Sequence, residues 1–473
     1  MVFSSLVFLL AFLPLNLFVY SLVPKEWRNQ VLLAFSLVFY AWGGVEFLLV
    51  LLADCLVSWF FALLIQGQED AARRRALLVC SLVLMLGLLG VFKYTGFFLG
   101  NIKAVLGVPE VVPSFVLPIG ISFYTFQLVS YVVDVYRRDV PAQPKFWKLL
   151  LYASLFHQCI AGPIVRYETV ANEIDRRKFT PAGMFAGIRR FSVGLAKKAV
   201  LANACASVAD GLLPSGADAL MAQPGASIWL GMACYMLQIY LDFSAYSDMA
   251  IGLGRMVGFH YLENFNYPYL ATSVQDFWRR WHISLSTFFR DYVYIPLGGS
   301  RCSRGRYVFN LFVVWSLTGF WHGASWNFIL WGLYFFVFLL LERFVIRGRM
   351  PKWLGHVYAL VVVYFGWVLF RFTDSSELLA ALATMLGMGK SGMLGMQAQT
   401  ALVSNVFLIA LSVVACTDLG KRLRGWAFGA AADSNAMLRL VEVVEVALPV
   451  LLVLVSIVAL VGNSYNPFLY FRF

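Results

Sequence analysis

The sequence predicts an all-α, polytopic integral membrane protein, and three observations lead there. Hydrophobic residues make up 61% of the 473 residues and charged residues only 13%, with a mean hydropathy of +0.76, far outside the soluble range. The apolar residues are gathered into long runs, at about 3–22, 29–45, 46–65, 76–98, 115–133, 147–164, 185–212, 226–241, 308–341, 355–370, 399–416 and 442–462. Between the runs stand clusters of Lys and Arg. Some runs are interrupted by Gly or Pro, so the expectation is roughly ten to twelve membrane segments, some of them re-entrant.

The first run lacks a basic leader region and an Ala-x-Ala site and ends at Pro24 and Lys25, which marks a retained helix and not a cleaved signal. The basic clusters at 73–75, 137–138, 176–178, 197–198, 301–306, 343–352 and 421–424 place their loops in the cytoplasm. The Lys- and Arg-poor loops 101–114 and 373–400 then face outward, as do both ends of the chain. With no tandem repeat and no long linker, residues 1–473 read as one integral membrane domain.

Two stretches are too polar to span. Residues 166–198 carry mixed charge between apolar positions, the pattern of short amphipathic helices on the cytoplasmic face. The second lies at 263–306. On one helical wheel over residues 276–291, Phe277, Trp281, Leu285, Phe288 and Tyr292 share a face, and Arg279, His282, Ser286 and Arg290 share the other. The arginines either anchor the protein at the cytoplasmic surface or attract an anionic ligand such as a phosphate-bearing acyl donor.

The run at 308–341 is too long for one straight span, and Gly319 and Gly323 bracket His322 where a helix would break. Because both flanking loops are basic, the run must enter the membrane and return. The pattern predicts two helices meeting near residues 319–325, with His322 at the turn. A neutral imidazole there either packs as a lone polar ring or takes the proton of a hydroxyl attacking a carbonyl carbon. Asp242 and Asp248, in a third polar site at 240–248, need a partner at bilayer depth; Asp248 shares a helix face with Arg255, and either aspartate would tie helices together. His157, His260 and His356 lie in more ordinary surroundings. Seven scattered cysteines without Cys-x-x-Cys spacing imply neither disulfides nor a metal site. Gly-x-Ser-x-Gly and nucleotide-binding glycine motifs are missing, so neither a serine acyl-enzyme nor a nucleotide-driven pump is expected, and no nucleic-acid partner.

Phe277-Trp-Arg-Arg-Trp-His-Ile-Ser-Leu-Ser286, followed forty residues after His282 by Trp321-His-Gly323, resembles the membrane-bound O-acyltransferase family. Further stretches resemble its bacterial polysaccharide branch, typified by alginate O-acetyltransferase: Leu117-Pro-Ile-Gly-Ile-Ser-Phe-Tyr124, Ile160-Ala-Gly-Pro163, Asp242-Phe-Ser-Ala-Tyr-Ser-Asp-Met-Ala-Ile-Gly252, Glu263-Asn-Phe265, Arg290-Asp-Tyr292, Pro296-Leu-Gly-Gly299 and Asn466-Pro-Phe-Leu-Tyr-Phe-Arg-Phe473. One departure is His157-Gln158-Cys159 before the Ile160 motif, one residue out of the branch's usual register, so no family role passes to His157.

The resemblance implies a helical fold around a central tunnel or funnel, with His322 as the family's catalytic histidine and His282 as its upstream polar partner. Arg279, Arg280, Arg290, Trp321, Asp242 and Asp248 are the residues expected to bind donor or substrate. It further implies acetyl-CoA as acyl donor with no bound cofactor, periplasmic polysaccharide acetylation proteins as partners, and a secreted acceptor such as alginate or cellulose. Its setting would be the bilayer of the bacterial inner membrane. A different class of reading, a transporter or export scaffold using Asp242, Asp248 and His322 as a polar path, lacks the inverted repeat such proteins show.

Overall fold

Among the described residues all regular structure is helical. The structure, a computed structural model, describes residues 1–107, 115–159, 162–346, 348–432, 434–462 and 469. The chain divides into two units: Met1–Phe191 with Met249–Glu263 and Thr287–Pro296, and Ser192–Asp248 with Asn264–Ser286 and Leu297–Phe473.

The first unit is built on α1 (Leu13–Leu22), α2 (Arg28–Ala41), α3 (Val45–Gly67), α4 (Ala71–Leu106), α5 (Ile121–Arg137), α6 (Phe146–Ser154), α7 (Tyr167–Arg176) and most of α8 (Pro181–Ala196). Helix α4 starts where Asp70 accepts the Arg73 N–H at 2.7 Å and stops at Gly107, whose φ of 66° ends the hydrogen-bond ladder. Helix α5 is buried from Ile121 to Val132 without a gap, which makes it the inner helix of this unit. The amphipathic pattern at 166–198 does form two short helices, α7 and α8. Helix α7 buries Tyr167, Val170 and Ile174. Just past it, Arg177 Nε donates to Tyr20 Oη at 3.0 Å and to the Val257 carbonyl at 3.1 Å, and Nη1 to Asn29 at 2.6 Å. One guanidinium thus fixes three distant segments.

The second unit contains α9 (Asn203–Leu212), α10 (Ala217–Met221), most of α11 (Gly225–Met256), α12 (Val274–Arg280) and the start of α13 (Ile283–Phe289). It continues with α14 (Arg304–His322), α15 (Trp326–Leu341), α16 (Lys352–Arg371), α17 (Ser375–Met385), α18 (Met396–Ala415), α19 (Leu419–Ala431) and α20 (Asn435–Gly462). The run at 308–341 forms the expected hairpin, α14 returning through α15 with residues 323–325 between them. What closes it is backbone contact. A Cβ on Gly319 would meet the Phe328 carbonyl oxygen at 2.3 Å, and one on Gly332 would meet the Trp315 oxygen at 2.3 Å. The outward loop read at 373–400 carries its own helix, α17, capped by the Asp374 carboxylate on the Ser376 and Glu377 N–H groups.

Among the described residues, six helices are long and apolar enough to cross a membrane: Val45–Gly67, Ala71–Leu106, Trp326–Ile346, Lys352–Arg371, Met396–Ala415 and Asn435–Gly462, with a shorter apolar helix at Phe8–Leu22. The wheel over 276–291 is corrected. The segment is two helices, α12 and α13, because His282 between them takes φ 45°, in the left-handed region that interrupts a helix. The break carries His282 off the arginine face and into the interior.

The glycine contacts generate a test. Gly332→Ala forces α14 and α15 apart at a point where only backbone can yield, and overpacking of this kind costs about 1–3 kcal/mol. The expected result is a Tm in detergent lowered by several degrees, whereas Gly305→Ala, whose Cβ would meet nothing within 4 Å, leaves Tm unchanged.

Candidate active site

His322 is the last residue of α14. The chain turns sharply after it, in extended backbone at Gly323 (φ −173°), where a Cβ would strike the Phe328 ring at 2.3 Å. The imidazole is 5% exposed and enclosed by aromatic edges and faces: Trp321 at 5.0 Å between ring centroids, Trp331 at 4.9 Å and Phe370 at 5.4 Å. Trp331 comes from the returning arm of the hairpin and Phe370 from α16. The helix C-terminus adds partial negative charge from its last carbonyls beside the ring.

His282 is 1% exposed. Its position rests on Asn264, which the sequence presents only as the middle of Glu263-Asn-Phe265. The Asn264 carbonyl accepts the Ile283 N–H at 2.9 Å, and Asn264 Oδ1 accepts the Ser284 N–H at 3.1 Å and the Ser284 hydroxyl at 2.9 Å. Nδ1 of His282 lies 3.3 Å from Asn264 Oδ1 and 3.4 Å from Ser284 Oγ. The Ser284 hydroxyl hydrogen is committed to Asn264, so both oxygens face Nδ1 as acceptors. The pattern therefore assigns the proton to Nδ1 and the lone pair to Nε2.

The ring of Phe243, on α11, stands edge-on to His282 at 4.7 Å and 88°, and Phe265 lies at 6.5 Å. Trp321 joins the two histidines. Its ring is 5.8 Å from His282 and 5.0 Å from His322. The segment leading into α12 is itself held from outside: Glu342 accepts the N–H groups of Val274 and Gln275 at 2.5 and 2.9 Å, and His356 Nδ1 meets the Ala271 carbonyl at 3.0 Å.

The structure thus gathers His282, Trp321 and His322 in the second unit. Arg279 and Arg280 lie on α12, just before His282. Arg280 pairs with Asp276 at 2.9 Å, whereas Arg279 is exposed and has no carboxylate partner among the described residues. Arg290 belongs to the first unit, where it and Arg166 bracket Asp291 at 2.6 and 2.5 Å. Burial pushes the Asp291 carboxyl up, but the hydrogen bonds from Arg290 and Arg166 outweigh it and hold the pKa below its usual value. Asp242 and Asp248 do tie helices together, through lysines: Lys198 meets Asp242 at 2.8 Å and Lys197 meets Asp248 at 2.6 Å. Asp248 thus has a lysine partner that the spacing to Arg255 did not suggest.

Sequence reasoning missed Asn264, Phe243, Trp331, Phe370 and Lys198 as site residues. Of these, Asn264 and Phe243 lay inside the stretches that resemble the family. Of those stretches, Ile160 and Ala161, and all of 466–473 except Leu469, lie outside the described residues.

The sequence model of the membrane-bound O-acyltransferase family matches residues 136–382, a span that includes both histidines and all six other expected site residues. The chain belongs to that family. This acyltransferase is 37% identical to the probable alginate O-acetylase of Azotobacter vinelandii over 100% of both chains. It is 41% identical to that of Pseudomonas aeruginosa over 78% of this chain and 72% of the relative. The peptidoglycan O-acetyltransferase of Helicobacter pylori is 34% identical over 82% of this chain and 80% of its own. The protein is thus a multi-pass membrane enzyme of acyl transfer.

The Asn264 geometry yields a direct expectation. Asn264→Ala removes the acceptor that holds Ser284 and fixes the His282 tautomer, leaving buried donors unsatisfied at about 1–3 kcal/mol. Tm should fall, and acyl transfer should fall further than the loss of folded protein explains, as measured on protein that survives size-exclusion chromatography.

Proposed function

We propose that this acyltransferase moves an acetyl group from cytosolic acetyl-CoA to a secreted polysaccharide, working in the bacterial inner membrane. The observation that carries the reading is the convergence of His282 and His322 on Trp321, whose ring lies 5.8 Å from the first and 5.0 Å from the second. The relatives named for alginate and peptidoglycan O-acetylation support a polysaccharide acceptor; alginate and cellulose are the polymers proposed. Periplasmic acetylation proteins would accept or pass on the group. The reading also proposes a tunnel to the histidines and ten to twelve membrane segments, counting re-entrant ones, beyond the six long apolar helices.

In the proposed reaction the neutral imidazole of His322 takes the proton from the acceptor hydroxyl as its oxygen attacks the thioester carbonyl carbon. The tetrahedral intermediate collapses with cleavage of the C–S bond. The leaving thiolate then takes the proton back, so the enzyme returns to its starting state without any cofactor. His282, with its lone pair at Nε2, accepts a hydrogen bond that positions the acceptor or donor, and Trp321 forms the wall shared by both rings. Arg279, seconded by Arg280 on the same helix, attracts the phosphates of acetyl-CoA. Asp242 and Asp248, expected among the binding residues, are engaged by lysines and are assigned to holding α11.

Two measurements test the proposal. Labelled acetyl should pass from acetyl-CoA outside-in to polymer or carrier across liposomes holding purified protein, in the orientation that exposes its basic loops to the donor. His322→Gln should slow this at least ~10²-fold without unfolding the protein; an undiminished rate would falsify the general-base role. Polymer export that depends on Asp242 and Asp248 without acetyl transfer would favour the transport reading instead. Arg279→Ala should raise KM for acetyl-CoA with kcat unchanged, and the difference should shrink as salt rises, because screening weakens an exposed charge.

A further inference from the structure

We infer that the buried pair Lys198–Asp242 is a positioning clamp that sets the approach of α11 to His282, an inference that rests on the acyl-transfer reading above. The pair is 2.8 Å long, with side chains 3% and 2% exposed. Lys198 Nζ holds Asp242 Oδ1, and the backbone N–H of Leu469, 227 residues along the chain, donates to Oδ2 at 3.0 Å. The two carboxylate oxygens thus have different partners, the Lys198 ammonium as an ion pair on one and a backbone N–H on the other. The next residue, Phe243, is the one whose ring meets His282 edge-on at 4.7 Å.

The lysine side has its own local signature. Lys197–Ala202 is a π-helical turn, a rare distortion concentrated at functional sites. It presents adjacent lysines to carboxylates six residues apart on α11, Lys197 reaching Asp248 at 2.6 Å. Two points of attachment of this kind fix both rotation and translation of the helix. A helix rotation of about 10° would carry a ring some ~6–7 Å from the axis by about 1 Å, and a misplacement of that size costs up to about 10²-fold in rate. Stability alone does not call for the pair, since buried ion pairs replaced by apolar groups of similar volume often leave stability unchanged or raised. Lys198 and Asp242 are therefore positioning residues, acting through Phe243 on His282.

The test uses the full-length enzyme in liposomes, comparing wild type with Lys198→Met/Asp242→Leu, in which no lone charge is left buried. The expected result is a Tm near that of wild type, an acetyl-CoA KM within about twofold, and kcat reduced at least about tenfold. Adding Phe243→Leu should lower kcat no further than the stronger of the two changes alone, because both act through one contact. Unchanged kcat in the double variant, or losses that multiply with Phe243→Leu, would overturn the clamp. If the double variant does not fold, Leu469→Pro removes the N–H donor to Asp242 together with the buried leucine side chain, and Leu469→Ala, which keeps the N–H, is its control; kcat should fall further in the proline variant, with the same non-additivity, and equal kcat in the two overturns the inference. Transfer that survives His322→Gln counts against the functional reading, whereas normal kcat of the clamp variants in a His322-dependent enzyme counts against the clamp alone.

Discussion

The approach of two backbones at Gly319 and Gly332 is the constraint on which the site depends. Without a side chain at either position, α14 and α15 meet with carbonyl oxygens at distances no Cβ would tolerate. In lipid there is no hydrophobic gain from bringing helices together, so such close packing supplies the cohesion. The tightness of the hairpin is what forces the turn at residues 323–325 and leaves His322 at a helix end beside Trp331 of the returning arm. A looser pair would let the imidazole turn away or admit water along the seam.

The two histidines are held by different means. His322 is enclosed by rings, which restrict its orientation. His282 is held by polar geometry, through Asn264 and Ser284, at the expense of a left-handed backbone conformation that a non-glycine residue adopts only when its surroundings impose it. The same Asn264 side chain satisfies the N–H of Ser284, so the bend that starts α13 and the tautomer of the ring have one cause.

Charge in the second unit is distributed in a graded way. The pair furthest from solvent, Lys198–Asp242, ties α11 in place, while the charges on α12 grow more accessible towards Arg279. In a chain with a net charge of +12, Arg279 stands exposed and without a carboxylate partner among the described residues.

The sequence by itself determined the helical membrane class, the hairpin around His322 and the family motifs, because each is local. Apolar run length, a glycine-bracketed break and a short motif are properties of consecutive residues. It also placed short helices in the stretch 166–198. What only the tertiary structure decided is where side chains from distant segments converge. The wheel over 276–291 placed His282 with the arginines, since periodicity assumes an unbroken helix, and the break comes from Asn264, outside the window. In the same way the partner of Asp242 lies on another helix and its second contact at Leu469. Neither Phe370 nor Trp331 differs, as a letter in an apolar run, from the rings around it. Such pairings are set by the packing of whole helices, and one-dimensional pattern carries no record of which faces meet.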